Sequence, residues 1–200
     1  MKAQTQVVSV ILIIGIAFAA IAAILPWSIN MIQKRKDAKA VDDAFNFFIL
    51  LESKIRNVAQ SGGDESLELK IPGKLTVYPS SISGENNNSI NFETTSKVSN
   101  IAPDQGWLCM STNCNATATL GKDDFGVILG KATKNNDNMI VEYKLWFREL
   151  KDRQTGHTFK ILLNTTNNRI ISTTMPFIRI QKLRTYATQD LTITEINIII

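Results

Sequence analysis

The chain predicts an α+β fold: a long N-terminal helix packed on an antiparallel β-sheet or sandwich head domain. Three observations carry that expectation. Val7 to Leu25 is a run of nineteen residues without a charge, and from Val41 to Ala59 the apolar side chains recur at helical spacing. From Ser66 onward the repeat changes to alternation, the period of a half-buried strand. Between the two regimes stands Ser61-Gly62-Gly63, a strong helix stop.

At 200 residues and a formal charge of +4, the chain leaves room for one modest domain behind the helix. No basic patch interleaved with aromatics appears, which argues against nucleic acid as a partner. Asparagines cluster in Asn87-Asn88, Asn135-Asn136 and Asn167-Asn168, a composition suited to a surface in water. No internal repeat is visible.

As a helix, Val7–Leu25 reaches about 29 Å, close to the roughly 30 Å hydrocarbon core of a bilayer. Its Ile, Leu, Val and Phe together favour insertion by about 5 kcal/mol, with no charge to oppose them. Ahead of the run stands Met1-Lys2-Ala3-Gln4-Thr5-Gln6, a positive start of the kind that opens an export signal. Two processing modes compete. Small residues at Ala17-Phe18-Ala19, Ala20-Ile21-Ala22 and Ala23 suit an ordinary signal peptidase, which would release a secreted β protein. The other mode cuts before the apolar run and keeps it.

Lys2-Ala3-Gln4 directly ahead of an apolar helix resembles the class III signal sequence of archaeal type IV pilin-like proteins. The resemblance implies cleavage by a membrane prepilin peptidase after Ala3, with Gln4 as the mature N-terminus. It implies residues 1–3 as leader, 4–27 as a transmembrane and filament-core helix, 28–61 as its amphipathic extension and 62–200 as a β-rich head. The leader is three residues long, Ala3 stands where glycine is commoner, and Val8 stands where many members carry Glu.

Gly15, Ala19 and Ala23 recur every four residues, a spacing that lets helices approach closely in an apolar medium. Pro26 removes a backbone donor, so a kink or local unwinding is expected there. Trp27 suits the membrane boundary. After Lys34-Arg35-Lys36, one face collects Val41, Ala44, Phe45, Phe48, Leu51, Glu52, Ile55 and Ala59. Phe47 and Leu50 lie off that face, which predicts a helix with two partners: its own head and a neighbouring subunit.

In the head, Leu67, Leu69 and Ile71 alternate with charges, then Pro72-Gly73 turns into Leu75 and Val77 as a hairpin. Further strands are expected over 89–94, 125–129, 138–150, 157–163, 169–174, 177–183 and 191–200. Asn164 to Asn168 reads as a hairpin loop. The last strand shifts phase at Glu195, which predicts a bulge there.

Catalysis finds little support. His157 is the only histidine, and no phosphate-loop or serine-nucleophile motif occurs. A zinc site needs more Cys or His than the chain has. Asp123-Asp124 and 135–138 carry calcium-type ligands without matching an EF-hand loop. No enzyme, cofactor, metal or small-molecule substrate is therefore expected. Cys109 and Cys114, the only cysteines, predict one small-loop disulfide in an exported domain; a cytosolic domain would leave two thiols. Sequons at Asn87, Asn115 and Asn164 are no more frequent than chance allows, but all fall in predicted loops.

Orientation sets two expectations against each other. Lys34, Arg35, Lys36 and Lys39 follow the apolar run, which by the positive-inside rule favours a cytoplasmic head. Paired cysteines and the pilin resemblance favour an extracellular one. The balance expects a pilin-like structural subunit, major or minor, of a surface filament serving adhesion or assembly. Its partners would be the membrane, the prepilin peptidase and other pilin-like subunits. A single-pass anchored β-domain binding protein that never assembles is the alternative.

Overall fold

The computed structural model describes residues 2–166, 170–172 and 177–200, with side chains for 12–166 and 177–200. One helix, α1 (Lys2–Ser61), runs for 60 residues, about 90 Å at 1.5 Å per residue. It passes through Pro26 without unwinding. It ends where the glycine pair predicts. The Gly62 N–H donates to the Val58 carbonyl at 2.9 Å, and Gly62 takes φ 78°, the left-handed conformation of a helix C-terminal cap.

Among the described residues twelve strands follow. They are β1 (Asp64–Glu68), β2 (Lys74–Tyr78), β3 (Ser89–Ser96), β4 (Leu108–Cys109), β5 (Thr117–Thr119) and β6 (Gly126–Asn135). Then come β7 (Asn138–Phe147), β8 (Glu149–Lys151), β9 (Thr158–Thr165), β10 (Ile170–Ser172), β11 (Phe177–Ala187) and β12 (Leu191–Ile199). They build two six-stranded sheets, ordered β1-β11-β12-β9-β8-β5 and β10-β2-β3-β7-β6-β4. Pairing is antiparallel except for β12 with β9 and β5 with β8. The protein is thus α+β, a long N-terminal helix on a two-sheet head.

The second half of α1 packs on both sheets, against β3, β6 and β7 of one and β1, β11 and β12 of the other. Phe48, Leu51 and Ile55 are fully buried there. Alternation along β7 sends Val141, Tyr143, Leu145 and Phe147 to the same interior, as its period predicts. Register aligns Leu75, Phe92 and Tyr143 across β2, β3 and β7. The Tyr143 ring lies 6.0 Å from Phe48, and its hydroxyl donates to the Val41 carbonyl of the helix at 3.2 Å. Burial pushes the Tyr143 phenol up to about 12.

Four expectations need correction. Leu69 and Ile71 do turn inward, but β1 and β2 form no hairpin: β1 pairs with β11 in one sheet, and β2 with β3 and β10 in the other. The bulge lies on β11, not β12. Lys182 faces Ile196 and Arg184 faces Glu195, so Leu183 is the extra residue, while Thr194, Ile196 and Ile198 keep one buried parity along β12. Asn164 belongs to β9, whose neighbours are β12 and β8, and β10 lies in the other sheet, so β9 and β10 form no hairpin. Asn167, Asn168 and residues 173–174 lie outside the described residues. Phe47 is buried at 7 % exposure, edge-on to Phe48 at 5.8 Å, and offers no second face.

Candidate functional surface

Between Leu12 and Ile32 the helix stands clear of the head. Leu12, Ile13, Ile16, Phe18, Ile24 and Trp27 are each more than half exposed. By length and composition this is a candidate membrane span, with a mean hydropathy of 2.4 in its most apolar window. A soluble surface rarely leaves so large an apolar area uncovered. Gly15, Ala19 and Ala23 lie exposed on it, and a Cβ at Gly15 would meet nothing. The proposed cleavage residues Lys2, Ala3 and Gln4 lie on helical backbone, with side chains outside the described set.

Behind the apolar rod sits a charged collar. Lys34, Arg35, Lys36 and Lys39 are exposed and make no ion pair among the described residues. Asp37 is already engaged: its carboxylate accepts from the Lys97 backbone N–H at 2.9 Å and from Gln33 at 2.6 Å. Asp42 accepts from Asn100 at 3.2 Å, whereas Asp43 is exposed without a partner among the described residues. Further on, Ile49 and Leu50 are about half exposed, the remnant of the second face once Phe47 is taken by the core. A groove of about 240 Å³ beside Ile49 runs between the helix and Met110, Ser111 and Ile128.

The far wall of that groove belongs to the disulfide loop. Cys109 and Cys114 are bonded, with Cα atoms 5.9 Å apart. Arg148, buried between the end of β7 and the start of β8, anchors the loop. Its Nε donates to the Asp124 carbonyl at 2.8 Å, and its guanidinium donates to Asn113 and to the Asn115 carbonyl at 3.3 Å. Asp123 accepts from Asn113 at 2.6 Å and from the Thr119 N–H at 2.8 Å. The Thr119 bond, then the Asn113 bond and the nearby Arg148 charge, hold its carboxyl below the usual range.

Glu52 is the charged residue of the helix face that enters the interior. It is 6 % exposed, accepts from the Gly126 N–H at 3.3 Å and pairs with Arg56 at 3.6 Å. Arg56 also pairs with Asp124. Burial raises the Glu52 pKa despite the Arg56 charge that opposes the rise. Gly126 has to be glycine, because a Cβ there would strike the Glu52 side chain.

The remaining candidates separate. His157 is a satisfied strand-end histidine, its Nδ1 donating to the Gln189 carbonyl at 3.2 Å and its Nε2 accepting from Thr192 at 2.8 Å. Among the described residues no group of three His, Cys, Asp or Glu side chains is placed to hold a metal. Asn87, Asn115 and Asn164 are all exposed, but only the first two lie in loops. Two polar residues that organise the head escape a sequence reading. Arg148 appears there only as a charge on the less apolar side of a strand. Asn88 appears as one of many loop asparagines, yet its side chain is buried and clamps the two sheets. Its Nδ2 donates to the Ile161 carbonyl at 2.8 Å and its Oδ1 accepts from the Leu163 N–H at 2.7 Å. Compared with protein-family models, curated proteins and solved structures, the chain matches none.

Proposed function

We propose that this chain is a structural subunit, major or minor, of an archaeal type IV pilus-like surface filament, with its β head outward and its apolar rod in the filament core. The observation that carries the reading is the continuity of α1: one helix supplies both an uncovered apolar rod and the fully buried Phe48, Leu51 and Ile55 of the head core. A rod rigidly joined to a head suits polymerisation through the rod, first stored in a membrane and then packed against its copies. The exposed Gly15, Ala19 and Ala23 would allow close approach, and Leu50 would extend the contact beyond the rod. In this reading the unpaired collar cations meet acidic groups such as Asp43 of a neighbour, and the role is scaffolding and adhesion rather than catalysis.

The mature N-terminus tests it. Protein from sheared surface fibres that begins at Gln4 supports the filament. A protein that begins at Met1 and stays in the membrane fraction supports a single-pass anchored β-domain binding protein instead, which the uncovered rod alone would also permit. A start near residue 24 leaves only a secreted β protein. Gly15→Trp and Leu50→Asp should each abolish fibres while the head keeps its thermal transition; intact fibres in both variants would sink the rod-packing reading.

A further inference from the structure

A second surface lies on the opposite side of the head, on the outward face of β2, β3 and β7. A cleft of about 210 Å³ opens there beneath Trp107, smaller than the roughly 300 Å³ at which drug-sized ligands begin to be enclosed. The indole is 38 % exposed. The Lys131 and Lys144 ammonium groups each lie 5.8 Å from its ring centroid, a cation–π arrangement that fixes the ring. Lys144 is itself tied down, donating to the Glu85 carbonyl at 2.7 Å and to the Asn86 side chain at 2.9 Å, so the wall of the cleft is built rather than loose.

The floor carries a row of facing charges, with Lys74 of β2 opposite Glu93 of β3. Glu93 of β3 stands directly opposite Glu142 of β7 in register, and like charges at such positions are destabilising. Glu142 is relieved by Lys131 at 3.3 Å. The Glu93 carboxylate makes no hydrogen bond or ion pair among the described residues. Charges around the cleft balance, Lys74, Lys131 and Lys144 against Glu85, Glu93 and Glu142, so neither an anion nor a cation is drawn in by net field. What remains is a free carboxylate acceptor, amide and hydroxyl groups of Asn91 and Thr76, and an exposed aromatic face.

We propose that this cleft binds a neutral pyranose, the exposed unit of a glycan, its ring C–H groups against Trp107 and its hydroxyls donating to Glu93. The negative face of an indole attracts polarised C–H groups, and a polyol supplies donors for a carboxylate without bringing charge. The site does not rest on assembly: filament, anchor or secreted protein would each present it.

The test uses the full chain in a sugar-free detergent, with cellobiose, mannobiose and diacetylchitobiose as probes. At least one should bind saturably at millimolar concentration by isothermal titration calorimetry. Trp107→Ala should weaken that binding about tenfold or more, and Glu93→Gln several-fold, with the thermal transition kept. Trp27→Phe should leave the affinity unchanged. Glu93→Gln is nearly isosteric at an exposed position, so it stays informative if Trp107→Ala fails to fold. Saturable binding by none of the three sugars, affinity that survives both cleft substitutions, or tighter binding of a glucuronate probe than of the neutral sugars would overturn the proposal.

Discussion

Glu52 sets burial against ion pairing at a single position. Its folded-state pKa is raised above the ordinary 4.5, so the ionised form is a cost of the native state at neutral pH. That cost shrinks as pH falls through the raised value towards 4.5. Asp64, Asp123 and Asp152 act with the opposite sign, since hydrogen bonds lower their pKa values below 3.8 and the stability they lend disappears in acid. Both sets are present in a Glu52→Gln variant except Glu52 itself, so the difference isolates it. The variant should match or exceed the parent in urea midpoint near neutrality, and the gap should close in mild acid. A midpoint clearly below the parent at neutral pH would mean that the Arg56 pair outweighs burial. Tyr143 gives a second reading of the interior. Its phenol should ionise at about 12, and Tyr143→Phe should delete that step from an alkaline absorbance titration. Its raised value leaves stability intact below pH 10 and withdraws it as pH climbs through the folded pKa.

Between elements, the decisive groups are polar. Asn88 takes φ 55°, a left-handed conformation that asparagine tolerates, and spans from the turn before β3 to the β9 backbone. Asn88→Ala should cost about 2–4 kcal/mol by denaturant titration, because it orphans buried backbone groups and strains the turn. Asn88→Gly should cost about 1 kcal/mol less, since glycine relieves the strain alone. In the disulfide loop, replacing both Cys109 and Cys114 by Ser should cost about 2 kcal/mol from loop entropy. Arg148→Met should cost more, about 3 kcal/mol, by leaving the Asp124, Asn113 and Asn115 carbonyls without their donor. A smaller effect than that of the cysteine pair would show that the covalent link, not the guanidinium, holds the loop. Legibility divides along the same line. The direction in which Leu69, Ile71, Val141 and Tyr143 point follows from local alternation, and α1 ends at a local signal, Gly62. Partner choice is non-local: nothing in the residues around Pro72-Gly73 says that β1 will join β11, far along the chain, rather than β2 beside it in sequence.

For the molecule as a whole, the buried core begins at Val41 and draws nothing from the rod. A chain starting at residue 33 should therefore fold, stay monomeric without detergent and melt within a few degrees of the full chain. A large loss of melting temperature would show that the rod supports the head. The apolar rod was legible in sequence because hydropathy needs no partner. The cleft beneath Trp107 was not, because it depends on β2, β3 and β7 lying side by side and on Trp107 being brought to them by a segment that runs beside β6. Phe47 failed for a related reason: a helical wheel ranks faces around one axis, whereas two sheets meeting at the helix bury a wider arc than one.

The placement of β12 sets a timetable for making the head. It is the only hydrogen-bonded bridge, among the described strands, between the β1-β11 pair and the β9-β8-β5 trio. Until residues 191–199 are synthesised and slot in, one sheet is two fragments with raw edges facing each other. A ribosome stalled short of that point, or a protease trimming it, leaves a sticky half-product rather than a slightly weakened head. Any escort that keeps this chain from clumping has to hold on until β12 arrives.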